Sequence, residues 1–219
     1  NVHKNYNSVT DRYNTTFSEI NVSCEECHGP GSVHVGLARS RSPFWDREIG
    51  YGLPNLKDKN LSVQIETCAK CHARRNQVHE DFRPGGQFLD YYEPQLLSDG
   101  RLYHANGQIL DEVYEYGSFL QSRMHANQVR CSDCHNPHSL ERKFTGNKLC
   151  TQCHVPGKYD TPTHHHHQEG STGAQCIECH MPARMYMVID KRRDHGFRVP
   201  RPDLTVEFGT PNACNDCHT

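Results

Sequence analysis

Cys131-Ser132-Asp133-Cys134-His135 and Cys150-Thr151-Gln152-Cys153-His154 are two copies of a Cys-x-x-Cys-His motif that recurs along the whole chain. The sequence of 219 residues contains six copies, numbered here from first to sixth, and they use all 12 cysteines. In c-type haem attachment, two such thiols form thioethers with the haem vinyl groups and the adjacent histidine is an axial ligand of the iron. The other four copies are Cys24/Cys27/His28, Cys68/Cys71/His72, Cys176/Cys179/His180 and Cys214/Cys217/His218.

Zinc ribbons and disulfide frameworks also use paired cysteines. Neither needs a histidine directly after the second cysteine, yet all six copies have one. We therefore predict six c-type haems. Each is held by both cysteines of its motif, and each iron is bound by the motif histidine.

The polypeptide is polar for a folded protein. Only 34% of its residues are hydrophobic and the mean hydropathy is -0.85, so side-chain burial alone offsets little of the conformational entropy lost on folding. Six haems leave about 36 residues for each macrocycle, and stacked macrocycles supply the apolar core instead. We predict a mostly irregular chain with short α-helices and few short strands, wrapped around a stacked haem chain and unfolded without haem.

Local patterns predict a few regular elements. Val113, Tyr116, Leu120 and Met124 recur at helical spacing and predict a helix over 112–125 capped by Asp111. Shorter helices are predicted at 62–72 and around each motif. Alternating apolar residues predict two pairing strands at 185–189 and 204–208. The uneven motif spacing suggests an N-terminal lobe, 1–108, with two haems, and a C-terminal lobe, 109–219, with four.

The second axial ligand of each iron separates an electron carrier from an enzyme with an open haem. Eleven histidines lie outside the motifs, whereas six irons need six ligands, and four methionines make methionine ligation a minority expectation. One member of the run His164 to His167 is expected to be a ligand, with His164 and His167 favoured. His3 and His79 are not expected to bind iron. The other predicted distal ligands are His34, His104, His125, His138 and His195.

Charge and export complete the sequence prediction. The formal net charge is -2 before the haem propionates are added, so no nucleic-acid partner is expected. No run of residues has transmembrane length. Because haem c is attached outside the cytoplasmic membrane, we expect an exported protein, periplasmic or extracellular, whose export signal preceded Asn1 and was removed. Arginines outnumber lysines, and the candidates for binding propionates are Arg192, Arg193, Arg198 and Arg201.

Four stretches of the sequence carry a family resemblance. They are Cys-His-Gly-Pro-Gly-Ser-Val-His (27–34), Tyr-Gly-Ser-Phe-Leu-Gln-Ser-Arg-Met-His (116–125), Cys-Ser-Asp-Cys-His-Asn-Pro-His (131–138) and Cys-Ile-Glu-Cys-His-Met-Pro-Ala-Arg (176–184). These stretches resemble bacterial multihaem c-type cytochromes of the group often fused to tetratricopeptide repeats and, more distantly, the cytochrome c554, hydroxylamine oxidoreductase and octahaem reductase superfamily. The resemblance covers roughly residues 5–219 and implies bis-histidine haems in alternating parallel and perpendicular pairs.

The sequence departs from these relatives in two ways. Relatives usually carry further haem motifs upstream and repeats downstream, which leaves open whether this chain is a processed fragment. Nitrite and tetrathionate reductase relatives have a Cys-x-x-Cys-Lys motif at the active haem, and none occurs here. The second departure argues against those two reactions.

Two classes of function remain. The first is electron transfer along closely packed bis-histidine haems, with neighbouring copies of the chain, other redox proteins or extracellular electron acceptors as partners. A sharper version is that copies polymerise end to end into an extracellular conductive filament. The alternative is an enzyme, a reductase of small nitrogen or sulfur oxyanions or a hydroxylamine-type oxidase, with one open haem. We expect the electron carrier, with no catalytic residues.

Overall fold

The backbone is mostly irregular, with short helices and small sheets, as predicted. The computed structural model describes residues 2–17, 19–40, 50–57 and 60–218. The helices are α1 (Cys24–His28), α2 (Ser32–Arg39), α3 (Ser62–His72), α4 (Tyr116–Leu120), α5 (Arg123–Ala126), α6 (Cys131–Cys134), α7 (Lys148–Thr151), α8 (Pro156–Tyr159), α9 (Pro162–His165), α10 (Cys176–His180) and α11 (Pro202–Phe208). Single 3-10 turns occupy Gly50–Gly52, Phe88–Asp90, Thr172–Ala174 and Ala213–Asp216.

The strands are two to four residues long. Among the described residues they form five two-stranded sheets, which pair β1 with β4, β2 with β3, β5 with β6, β7 with β8 and β9 with β10. The strands are β1 (Val2–His3), β2 (Tyr6–Asn7), β3 (Arg12–Tyr13), β4 (Thr16–Phe17), β5 (Arg75–Gln77), β6 (Tyr92–Pro94), β7 (His135–Asn136), β8 (Glu141–Arg142), β9 (Ala183–Tyr186) and β10 (Asp190–Arg193).

The chain divides into two units. The first comprises residues 1–71 and 75–93. Its apolar core includes Ile65 and Ala69, which lie four residues apart on one face of α3 and are almost fully buried. Phe88 is fully buried, and its ring centroid lies 5.1 Å from that of Tyr92. This core fixes α3, which carries the second motif at its end.

The second unit comprises residues 72–74 and 94–219. An apolar cluster in this unit contains residues from both sides of the predicted lobe boundary at 108, so that boundary falls inside this unit. The first lobe of the prediction is therefore too long. The cluster consists of Leu102, Tyr103, Ile109, Val113 and Tyr186.

The predicted single helix over 112–125 is wrong. Residues 111–115 form a loop in which Tyr114 has a left-handed backbone, with φ of 62°. Two short helices follow, α4 and α5, because Ser122 leaves the helical conformation and its hydroxyl accepts the backbone N–H of His125, capping α5. The predicted helix over 62–72 is confirmed as α3.

The two predicted strands have different outcomes. Residues 183–186 pair with 190–193 in an antiparallel hairpin, so 187–189 are its turn rather than the end of a strand. Residues 202–208 form α11, which corrects the strand predicted at 204–208. Pro202 occupies the first helical turn and Gly209 ends the helix with φ of 67°, which are the usual start and stop signals of a helix. Among the described residues, no helix has the length and hydropathy of a membrane span.

Candidate functional site

Helical backbone brings the three groups of a motif to one side. In α1 and α10, the whole motif is helical, and the second motif ends α3. Positions i, i+3 and i+4 of a helix share a face, so both cysteines and the histidine of each of these motifs point toward the same volume. That arrangement suits one flat group bonded at two edges and ligated at its centre.

The other three motifs are shorter turns. The third is helical through Cys134 and continues into β7 at His135. In the fourth and sixth, the histidine N–H still donates to the carbonyl oxygen of the first cysteine, at 3.0 Å for His154 and 2.8 Å for His218. All twelve cysteines are described, and none of them forms a disulfide.

The sixth motif does not form the α-helix that was predicted around every motif. The sixth motif forms a 3-10 turn that ends at Asp216, and Cys217 follows that turn with φ of -131° and an exposed side chain. Two hydrogen bonds make this turn tight. The Asn212 side chain accepts the N–H of Cys214 at 2.9 Å. The N–H of Cys217 donates to the carbonyl oxygen of Cys214, three residues earlier, at 3.2 Å. The charge of Cys217 still adds to the raised pKa of Cys179 in the fifth motif. Haem attachment at Cys217 stays a prediction.

Consecutive motifs are electrostatic neighbours in chain order. Burial is the main reason why the pKa of several motif thiols is raised, and the charge of a cysteine in the next motif adds to it. The effect is largest for Cys150, whose pKa rises to about 12 through burial and through the charge and hydrogen bond of Cys176. In a haem-bound chain these sulfur atoms are thioethers and do not titrate. The pKa shifts therefore serve only to show which cysteines lie close to one another. The pairs are Cys27–Cys71, Cys134–Cys153, Cys150–Cys176 and Cys179–Cys214.

The second and third motifs meet at His72. A hydrogen bond from its Nδ1 to Glu115 is the main reason why the pKa of His72 is raised, and the charge of Cys131 adds to the shift. These five neighbouring pairs link the six motifs in the order in which they occur along the chain.

The motif histidines His135, His180 and His218 each lie beside a second imidazole. In each pair, one ring belongs to a motif and the other to a histidine predicted as a distal ligand. The run 164–167 brings two members to motif histidines, rather than the single one expected. The ring-centroid separations and angles between ring planes are 6.4 Å and 32° for His135 with His195, 6.2 Å and 14° for His164 with His180, and 5.8 Å and 41° for His167 with His218.

These separations fit a metal ion between the rings. A bond from a metal to an imidazole nitrogen is about 2.0–2.1 Å long, and a ring centroid lies roughly one further ångström behind the nitrogen. Two imidazoles on opposite sides of one metal thus have centroids roughly 6 Å apart, which agrees with all three pairs. The three pairs of rings therefore fit bis-histidine haem, whose two attachment cysteines precede the motif histidine in the sequence.

Comparison with known proteins points in the same direction. The family described as "Doubled CXXCH motif" matches residues 125–159, which include the third and fourth motifs. The dissimilatory sulfite reductase MccA of Wolinella succinogenes is 25% identical over 210 residues, which cover 82% of this chain and 25% of that protein. The outer cell wall cytochrome OcwA has a similar fold, with a TM-score of 0.59 and 16% identity over 93% of this chain and 55% of OcwA.

The chain is a multihaem c-type cytochrome. It spans about a quarter of the length of the sulfite reductase and about half of the cell wall cytochrome that it matches.

Several imidazoles of this cytochrome are oriented by their Nδ1 atoms. Nδ1 of His180 donates to the carbonyl oxygen of Arg198 at 2.8 Å, and Nδ1 of His195 donates to that of Arg193 at 3.0 Å. Since a carbonyl only accepts, the proton sits on Nδ1 and Nε2 keeps its lone pair for a metal. His79 makes the same kind of bond to Glu80, so this bond orients a ligand without identifying one.

The remaining predicted ligands lie in varied surroundings. Nδ1 of His34 donates to the carbonyl oxygen of Tyr51 at 3.0 Å. His104 lines a cavity of about 710 Å³, and burial and the charge of Arg184 lower its pKa. The ring of His125 packs edge-on against Phe119. The backbone N–H of His138 donates to the side chain of Asn136.

The four arginines predicted to bind propionates already contact protein acceptors, and their role toward haem stays a prediction. Arg193 also donates to two carbonyl oxygens of the fifth motif and its flank, those of Ile177 and Met181. Arg192 forms an ion pair with Glu112 and donates to Asp190. The acceptors of the other three are Glu178 for Arg193, Gln121 for Arg198 and Asp203 for Arg201.

Sequence reasoning missed the residues that hold the motifs in place. Glu115 accepts from His72, 43 residues away, and Asn147 joins the fourth motif to the fifth. Tyr159 lies edge-on to both His154 and His164. None of these residues belongs to a motif, and only their spatial contacts reveal them.

Proposed function

We propose that this cytochrome carries six c-type haems and transfers electrons along them in the order of the chain. The observation that supports this most strongly is that consecutive motifs are neighbours, from Cys27 beside Cys71 to Cys179 beside Cys214. In this series, each motif from the first to the fifth has the next motif along the chain as a neighbour. Such an arrangement suits a path with an entry and an exit rather than a single reaction centre.

The distal ligands follow from the ring pairs. His195 would complete the haem of the third motif, His164 that of the fifth, and His167 that of the sixth. Bis-histidine ligation gives low-spin irons with no open position and low reduction potentials. For the haems of the first, second and fourth motifs, the candidate distal ligands are His34, His104, His125 and His138.

A reductase is the second candidate. It is supported by the resemblance of this chain, over 82% of its length, to a protein named as a dissimilatory sulfite reductase. A reductase of this kind needs one iron with an open position for its substrate. Oxidised protein should then show one high-spin haem, whereas a pure electron carrier should show none.

Location and partners extend the proposal. Haem c is attached outside the cytoplasmic membrane, so the protein would act in the periplasm or at the cell surface. Its partners would be other redox proteins, extracellular acceptors or further copies of itself in a conductive filament. Electron microscopy of material sheared from cells tests the filament, and discrete monomers or closed dimers would contradict it.

The haem count is tested by intact mass spectrometry after alkylation. We expect six covalent haems and no alkylated cysteine, because every thiol belongs to a motif. Electron paramagnetic resonance of the same sample then counts the spin states. Fewer than six haems or any alkylated cysteine contradicts the proposal, and a high-spin signal of one haem per chain favours the reductase.

A further inference from the structure

The histidine of the second motif is hydrogen-bonded to a carboxylate. Nδ1 of His72 is 2.9 Å from Oε2 of Glu115, and because a carboxylate has no proton to donate, Nδ1–H is the donor. Nε2 of His72 is then the atom left for the iron. In the fifth motif, by contrast, His180 donates to the neutral carbonyl oxygen of Arg198. The two motif histidines therefore differ by one negative charge on the acceptor.

The loop at 111–115 is built to hold this carboxylate. Tyr114, directly before Glu115, is in the left-handed region with φ of 62°, a conformation that costs energy for a non-glycine residue. It is held there because its N–H donates to the carboxylate of Glu112 at 2.9 Å. Glu112 is buried and lies 2.7 Å from Nε of Arg192, whose guanidinium sits over the Tyr114 ring.

The same loop is fastened to the segment that follows His72. The N–H of Arg74 donates to the carbonyl oxygen of Val113 at 3.1 Å. Its guanidinium donates to the carbonyl oxygen of Glu112 at 3.0 Å and to the carboxylate of Asp111 at 3.1 Å. These contacts anchor the backbone that directly precedes Glu115 and so hold its carboxylate within reach of the imidazole.

We propose that Glu115 is a positioning residue for the haem of the second motif and lowers the reduction potential of that haem. The proposal rests on the proposed function, in which His72 binds that iron. A charge-assisted hydrogen bond from Nδ1–H places more electron density on the imidazole. The iron receives that density through Nε2, and its ferric state is stabilised relative to its ferrous state. Hydrogen bonding around the ligands is one of the means by which a protein sets haem potential.

The test is a spectroelectrochemical titration of the haem-loaded Glu115→Gln variant. Glutamine keeps an acceptor oxygen of the same reach and removes the charge. We expect one midpoint potential to move upward while the others stay in place, together with changed g-values for one low-spin haem. The matched control is Asp203→Asn, which removes one negative charge from an exposed pair with Arg201 and should shift no single potential in this way.

Two further measurements separate the possible failures. If Glu115→Gln does not accumulate with its haems, Glu115→Asp is titrated instead. Its shorter side chain weakens the hydrogen bond to His72 and should move the same midpoint potential in the same direction. A full complement of six low-spin haems with unshifted potentials in both variants overturns the role of Glu115 and leaves electron transfer intact. A wild-type haem count below six, with free Cys68 or Cys71, overturns both.

Discussion

The imidazole of His164 lies nearly parallel to that of His180, with ring centroids 6.2 Å apart and planes at 14°. Two neighbours fix this arrangement. The ring of Tyr159 packs edge-on against His164 at 5.3 Å, and Nδ1 of His180 is bonded to a carbonyl oxygen. Both rings are therefore held by the protein before any metal binds, which reduces the reorganisation that ligation requires.

Replacing His164 by alanine should convert one haem from low-spin to high-spin and raise its reduction potential, because the iron of the fifth motif loses an imidazole. Electron paramagnetic resonance and a redox titration measure the two effects. The matched control is His166→Asn, in the same run of histidines, since His166 has a left-handed backbone with φ of 58° that asparagine tolerates. Identical spin-state counts in the two variants would show that His164 is not a ligand.

Replacing His195 by alanine should have the same effect on the haem of the third motif, whose His135 ring is 6.4 Å from that of His195. The control is His79→Ala. His79 also donates its Nδ1 proton to a backbone carbonyl oxygen, so the pair of variants separates metal ligation from that bond. We expect no spectral change in His79→Ala, and a high-spin signal there would contradict the assignment.

The motifs could be predicted from the sequence because haem attachment is a local chemical requirement. Two thiols and an imidazole must reach one macrocycle, and a single helical turn provides that geometry, as in α10. The helix at 62–72 was also predictable, because it depends on its own sequence. By contrast, Leu204, Val206 and Phe208 alternate as the apolar residues of a strand do. Leu204 and Phe208 also share one face of a helix. Pro202 and Gly209, at the two ends, favour the helix that the structure has.

The contacts that orient the motifs could not be predicted in this way. The loop at 111–115 interrupts a helical pattern because Arg74 and Arg192, distant in sequence, bind its acidic residues and stabilise a left-handed Tyr114. A tertiary contact of this kind outweighs helix propensity of a few tenths of a kcal/mol per residue. Similarly, the number of histidines outside the motifs predicts that distal ligands exist. Which histidines of 164–167 are the ligands depends on which of their rings lie beside a motif histidine, and that is visible only in the structure.

Phe88 and Leu89 offer a test of the core in the first unit. Phe88 is fully buried in a 3-10 turn and its N–H donates to the carboxylate of Glu66 at 2.8 Å, whereas Leu89, the next residue, is 67% exposed. Phe88→Ala should lower the free energy of unfolding by about 3–5 kcal/mol, the cost of a large buried cavity. Leu89→Ala should change it by about 0.5 kcal/mol or less. Denaturant titration followed by circular dichroism compares them, and equal losses would contradict the described core.

The folded state should depend on covalent haem. A chain with a mean hydropathy of -0.85 has too little apolar surface of its own to offset the entropy of ordering, so macrocycles must contribute to the core. Expression without the haem-attachment machinery should yield a proteolysed or disordered chain, with the same strain carrying that machinery as the control. A cooperative far-UV melt of haem-free protein would contradict this expectation.

Asn147 should control the spacing of the fourth and fifth motifs. It directly precedes α7, which contains Cys150, and its side chain makes three hydrogen bonds to the region around the fifth motif. Its amide N–H groups donate to Asp160 at 2.6 Å and to the carbonyl oxygen of Ala174 at 2.9 Å. Its oxygen accepts the N–H of Cys176 at 2.9 Å.

Asn147→Ala should lower the free energy of unfolding by about 2–4 kcal/mol, because three hydrogen bonds of roughly 0.5–1.5 kcal/mol each are lost. Asn147→Asp should be at least as destabilising at neutral pH, since it keeps the acceptor for Cys176 but places a second carboxylate against Asp160. Asn127→Ala is the control, because Asn127 is exposed and its side chain makes one hydrogen bond, to the carbonyl oxygen of Arg123. Thermal unfolding followed in the Soret band ranks the three variants. If Asn147→Ala is as stable as Asn127→Ala, Asn147 does not hold these motifs together, and the close approach of Cys150 to Cys176 must depend on the haems themselves.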